Sequence, residues 1–156
     1  MPDAQTRGSG SHMYGEVVNV EPVGDDAAFI DDRFFRKGEA SGFGHNCLVN
    51  SLRQCLDVRS IDVASIRQRL MTLYPSGPAK VTDDSYLGLE HHWRDVLRLI
   101  NAKLHRTLQR SVADYKVLCV NLSGRGQSVD IYGDGGERLF IAVVGGNHFI
   151  PLHAVT

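Results

Sequence analysis

The chain has 156 residues, of which 42% are apolar and 22% charged, with a formal net charge of −1. That length and apolar fraction suit one domain able to bury a core without staples. The charge balance speaks against a global field drawing the chain to nucleic acid or an anionic membrane. Three cysteines, Cys47, Cys55 and Cys119, with no Cys-x-x-Cys spacing, argue against a disulfide framework and a thiolate zinc site and leave at least one thiol free.

No apolar run approaches the roughly 18 residues of a bilayer span, and the start lacks the charged-then-apolar order of a signal peptide, so a soluble protein is expected. Met1 to Met13, ending in Gly-Ser-Gly-Ser-His-Met, reads as a vector or linker remnant, which leaves residues 14–156 as a single domain.

In chain order, Tyr14 to Val23 has strand-like residues, and the acidic stretch that follows, with Asp25, Asp26, Asp31 and Asp32 around Phe29 and Ile30, reads as a loop. Gly38 to Gly44 is rich in small residues and lets the backbone fold tightly before Cys47. A helix follows directly: Leu48, Leu52, Cys55 and Leu56 fall at i, i+4, i+7 and i+8 and form one apolar face. Val63, Ile66, Leu70 and Leu73 signal a second helix, with Asp62 or Ser60 as N-cap and Pro75 and Gly77 as terminators. A longer third carries Leu89, Trp93, Val96, Ile100 and Leu104 on one face. Arg94, Arg98, Lys103, Arg106, Arg110 and Lys116 lie in or just after it and read as a solvated face.

From Lys116 the period changes to that of strands, at Val117 to Leu122, Val129 to Tyr132, Leu139 to Val144 and His148 to Val155. The breaks at Gly124-Arg125-Gly126, Gly133-Asp134-Gly135-Gly136 and Gly145-Gly146-Asn147 favour hairpins. The expectation is an α+β fold, with helices packed on a mainly antiparallel C-terminal sheet that runs as a meander.

Asn46-Cys47 sits where the Gly-rich loop meets a helix N-terminus, a position whose unpaired N–H groups favour a thiolate. The same loop's backbone N–H groups, at Gly44, His45 and Asn46, together with that of Cys47 itself, can stabilise an oxyanion. His148 opens the last strand just after a tight glycine turn, so the order is nucleophile early on a helix and base late on a strand. His91-His92 and His153 lack metal-ligand spacing, so no metal is expected, and no cofactor.

Gly44-His45-Asn46-Cys47-Leu48-Val49-Asn50-Ser51-Leu52 resembles the signature Asp-Gly-Asn-Cys-Leu-Phe-x-x-Leu of the OTU cysteine peptidases, and Asn147-His148-Phe149-Ile150-Pro151-Leu152 resembles their terminal His-aromatic strand. With Trp93 on the preceding helix, the resemblance spans about residues 40 to 155. It implies a papain-like OTU architecture and a monomeric deubiquitinase. Cys47 would be nucleophile and His148 general base, with ubiquitin as partner and Gly145, Gly146 and Asn147 lining a narrow channel for its C-terminal glycine.

Two departures matter. Gly44 and His45 replace the family's Asp-Gly pair, and Ile150 occupies the position of the polar residue often found two after the base. Some subgroups take the third residue from upstream, which nominates Asp25, Asp26, Asp31 or Asp32, here carried as Asp32, with Asp130 and Asn147 as competitors. The same dyad would serve a protein glutamine deamidase or a self-processing peptidase, and loss of the Asp-Gly pair leaves room for a catalytically degenerate binding module. Compact size and that mismatch lean toward a bacterial effector or toxin domain acting in a host.

Overall fold

The computed structural model describes residues 18–58, 61–104, 111–122, 128–145 and 147–155, with backbone alone at 103 and 104. The remnant at Met1 to Met13, the Gly124 to Gly126 break and Gly146 lie outside them.

The acidic stretch is not a loop. It forms a three-stranded antiparallel ribbon of β1 (Val20–Val23), β2 (Ala27–Ile30) and β3 (Arg33–Lys37). Ala27, Ala28, Ile30 and Phe35 are buried, and the aspartates occupy its turns. Gly24, at φ 67°, opens the first turn, and Asp31 (φ 50°) and Asp32 (φ 68°) are the two central residues of the second, between the paired Ile30 and Arg33. A two-residue hairpin with both φ positive is the type I′ turn, which aspartate tolerates better than most residues. The acids therefore mark reversals of the chain, with strand on either side.

The three helices form where their apolar spacing places them: α1 (Cys47–Cys55), α2 (Val63–Leu73) and α3 (Leu89–Leu104). Asp62 caps α2, accepting the Ser65 N–H at 3.3 Å. The strands β4 (Tyr115–Asn121), β5 (Val129–Tyr132), β6 (Glu137–Val144) and β7 (His148–Ala154) complete a seven-stranded sheet of order β1-β2-β3-β7-β6-β4-β5. All its pairings are antiparallel except β4 with β6. The fold is α+β and the sheet mainly antiparallel.

The C-terminal half is not a meander. β4 lies between β5 and β6, so the Gly133 to Gly136 connection crosses the start of β4 instead of closing a hairpin. Glycine makes the crossing possible. A Cβ at Gly135 would lie 2.2 Å from the Asp114 carbonyl carbon, and one at Gly133 would lie 2.8 Å from the Tyr115 oxygen.

Each face of the sheet buries its own cluster. Leu48, Leu52, Leu70, Val96 and Ile100 of the helices pack with Val117, Cys119, Ile141 and Phe149 on one face. Ile30 and Phe35 of the ribbon share the other with Leu118, Ile131, Ile150 and Leu152. Strands from both ends of the order meet in that second cluster, so the sheet curls on itself. Arg94 of α3 lies over Trp93 at 4.8 Å and Arg98 pairs with Asp95 at 2.9 Å, whereas Lys116 is buried in β4 and belongs to no basic surface. Among the described residues no helix is long and apolar enough to cross a membrane.

Candidate active site

Cys47 is the first residue of α1, and β7 delivers its partner. The Phe149 N–H donates to Cys47 Sγ at 3.4 Å, so strand residue 149 fixes the buried sulfur and the adjacent His148 stands at the same sheet end. The His148 imidazole packs on Gly42 in the loop leading to Cys47, where a Cβ would lie 3.4 Å from its Cε1 and 3.5 Å from its Nδ1. The structure thus brings together two segments that are 102 residues apart at Cys47 and Phe149.

The loop before Cys47 makes a 3₁₀ turn at Phe43–His45, with Gly44 and His45 both left-handed at φ 67° and 60°. Asn46 stands at the N-cap of α1, yet its side chain makes no capping bond. Its Nδ2 donates to the Phe43 carbonyl at 3.2 Å, and its Oδ1 accepts from Arg67 Nε at 3.0 Å and Nη2 at 2.7 Å. Among the described residues the N–H groups of Gly44, Asn46 and Cys47 have no hydrogen-bond acceptor, whereas that of His45 is taken by the Gly42 carbonyl. They are the donors available to an oxyanion at this sulfur.

His45 does not turn to the sulfur; its Nδ1 lies 2.5 Å from the Asp84 carbonyl oxygen and its ring meets Tyr86 edge-on at 6.5 Å. Gly145 is exposed at the β6–β7 turn, left-handed at φ 61°, with open space where a Cβ would stand. Asn147 is exposed one residue before His148.

The acids divide. Lys37 pairs with Leu152 and Phe35 with Ala154, so β3 runs away from His148 as it is followed back to its turn. At about 3.3 Å per residue, His148 to Ala154 is roughly 20 Å of strand, and Asp32 lies beyond that. The structure therefore does not bring Asp32 or Asp31 to the base, a correction to the expectation that carried Asp32. Asp31 instead accepts the Asn19 N–H at 3.0 Å and meets Arg138 at 3.4 Å, at the far end of β6. Asp130, on β5, pairs with Cys119 of β4 and lies three strand spacings or roughly 14 Å from β7. Asp25 and Asp26 stand toward the His148 end, two strands aside from β7. Their turn is tied to Lys37 by the Lys37 N–H to the Asp26 carbonyl at 2.8 Å. They line a cavity of about 580 Å³ with Gly38, Val144 and Ile150, the partner of His148 and its same-face neighbour on β7.

Cys55 and Cys119 are set apart from Cys47. Burial pushes the Cys55 thiol up to about 12, against the lowering effect of the Phe140 carbonyl to which it donates at 3.2 Å. Burial, with Asp130 nearby, also raises the Cys119 thiol.

Two residues of this site carried no motif. Tyr86, on the α2–α3 connection, stacks on Phe149 at 6.1 Å. Burial, then the charges of Cys47 and Cys119, raise its hydroxyl to about 12. Arg67 is buried on α2, and its guanidinium reaches both flanking loops. The one sequence signal for it is spacing: four residues after Val63 and three before Leu70, it places a charge on the apolar stripe of α2.

No family model and no curated protein matches the chain. Among solved structures, it is similar to the OTU domain of Hazara virus bound to ubiquitin, at 16% identity and a TM-score of 0.46, over 89% of this chain and 96% of that one. No finding supports a bacterial origin, and the chemistry of the site rests on its own geometry.

Proposed function

We propose that the chain is a cysteine hydrolase that cleaves amide bonds at the C-terminus of ubiquitin, with Cys47 as nucleophile and His148 as general base. The observation that carries this reading is the Phe149 N–H donated to Cys47 Sγ, which sets the helix-borne thiol beside the strand that begins at His148.

In this mechanism His148 takes the thiol proton and the sulfur attacks the scissile carbonyl. The oxygen gains charge and is held by the N–H groups of Asn46 and Cys47. Collapse breaks the C–N bond, the leaving amine takes the proton from His148, and a thioester remains on Cys47. Water, deprotonated by His148, then frees the acid and restores the thiol. Gly145 is suited to a narrow channel because no side chain projects there. Asp25 or Asp26 is the acid assigned to orient His148, in place of Asp32.

The test is incubation with ubiquitin carrying a C-terminal thiol-reactive warhead, with mass mapping of the adduct, alongside cleavage of di-ubiquitin. An adduct on Cys47 and released mono-ubiquitin are expected. Conversion of a substrate glutamine to glutamate without chain cleavage would point to deamidation by the same dyad, and a Cys47 inert to alkylation at neutral pH to a binding module.

A further inference from the structure

We propose that Arg67 is the positioning residue of the oxyanion site and that it acts by holding the loop that leads into Cys47. The inference rests on the hydrolase reading of Cys47.

An asparagine at a helix N-cap ordinarily turns its side-chain oxygen onto the N–H groups of the first turn. Asn46 stands at that position on α1, but Arg67 takes the oxygen through Nε and Nη2 at 3.0 and 2.7 Å. The Asn46 side chain is therefore held against Arg67 and away from the Leu48 and Val49 N–H groups that a cap would take. The effect on the oxyanion site works through the backbone. Arg67 Nη2 also donates to the Gly44 and His45 carbonyls at 2.9 and 3.1 Å. In a trans peptide the N–H opposes the C=O, so holding the His45 oxygen at Arg67 aims the Asn46 N–H the other way. The His45 N–H, opposed in the same manner to the Gly44 oxygen, is used by the Gly42 carbonyl at 2.9 Å, whereas the Asn46 and Cys47 N–H groups stay open.

The clamp reaches a second loop. Arg67 Nη1 donates to the Thr82 and Ser85 carbonyls, each at 2.8 Å, and so ties the segment carrying Tyr86 to the segment carrying Asn46. Every hydrogen-bond acceptor of this guanidinium is an uncharged oxygen, and the side chain is only 4% exposed. A planar fork of five N–H donors can satisfy such an array, whereas a lysine ammonium has three. Two successive left-handed residues, Gly44 and His45, need such outside support.

The experiment compares wild type with Arg67→Met and Arg67→Lys, each checked for folding by thermal melting. Three quantities are read: kcat and KM on ubiquitin bearing a C-terminal coumarin amide, the iodoacetamide alkylation rate of Cys47, and amide hydrogen exchange in segments 42–47 and 82–86. Alkylation develops no oxyanion, while acyl transfer does. Arg67→Met should lose about 100-fold in kcat, the scale of a missing oxyanion donor, with KM and alkylation rate held. Arg67→Lys should fall between. A loss of alkylation parallel to kcat, a change in KM alone, or full activity in Arg67→Lys would each overturn the inference. If wild type fails to cleave the coumarin substrate, the ubiquitin reading falls, and the clamp is then judged on exchange. Faster exchange in both segments together upholds it, and unchanged exchange overturns it. Should Arg67→Met fail to fold, Arg67→Lys alone decides by the same readouts.

Discussion

Asp25–Asp26 and Asp31–Asp32 occupy successive turns of one three-stranded ribbon, but they stand at opposite ends of the sheet and do different things. The Asp31–Asp32 turn is self-contained. Its positive φ angles close the hairpin, and Asp31 spends its carboxylate on the Asn19 N–H and Arg138. The Asp25–Asp26 turn leaves both side chains exposed at the rim of a cavity that includes Ile150, two residues beyond His148. A hairpin reverses direction at every turn, so acids a single strand apart in sequence are separated by that strand's length in space.

The largest effects should fall at the His148 end. Cys47→Ala should abolish turnover, and His148→Ala should lower it by about 10⁴-fold, both measured on di-ubiquitin against wild type. Alkylation followed by peptide mass mapping should label Cys47 before Cys55 or Cys119, whose raised thiols hold little thiolate at neutral pH. Faster labelling of Cys119 would reverse the assignment of the nucleophile.

Next come the two turns themselves. Either Asp25→Asn or Asp26→Asn should lower kcat by about 10²-fold or more while Cys47 stays modifiable, since an orienting carboxylate fixes the imidazole and leaves the thiol in place. Asp31→Asn and Asp32→Asn should keep near wild-type turnover. The opposite pattern in steady-state rates would break the comparison at its centre.

A smaller effect separates the turns by stability. Asp32→Gly converts the far turn to Asp-Gly, the preferred type I′ pair, and relieves a left-handed residue at φ 68°. Denaturant melting should register a gain of about 0.5–1 kcal/mol with activity unchanged. An equal gain accompanied by lost activity would mean that the turn touches substrate after all.

The smallest effect concerns His92, which holds the α2–α3 connection that carries Tyr86. Its Nδ1 accepts the Gly88 N–H at 3.1 Å and its Nε2 lies 2.8 Å from the Ala79 carbonyl oxygen, a pairing that suits the neutral ring. Burial holds this imidazole below its ordinary 6.5. A depressed histidine contributes stability that is present above the unfolded value and lost as pH falls through the folded one. Melting temperature should therefore decline as pH drops below about 6.5, and His92→Gln should flatten that part of the profile.

Much of the site was legible because its signals are local. A glycine-rich run before an amphipathic period placed Cys47 at a helix start, and a glycine turn before an alternating run placed His148 at a strand start; each depends on residues within a few positions of itself. The acidic stretch misled because aspartates mark turns as well as loops, and strands of four residues are too short to show alternation. Other features had no local signature. The order that inserts β4 between β5 and β6, the sheet end at which each acid emerges, and the reach of Arg67 from α2 to two loops are pairings between distant segments. The sequence by itself determined where helices, strands and reactive side chains begin, since backbone propensity and apolar period act over single turns. Only the tertiary structure decided which of those groups meet, because a buried guanidinium finds its carbonyls, and a strand its neighbour, once the chain has closed around them.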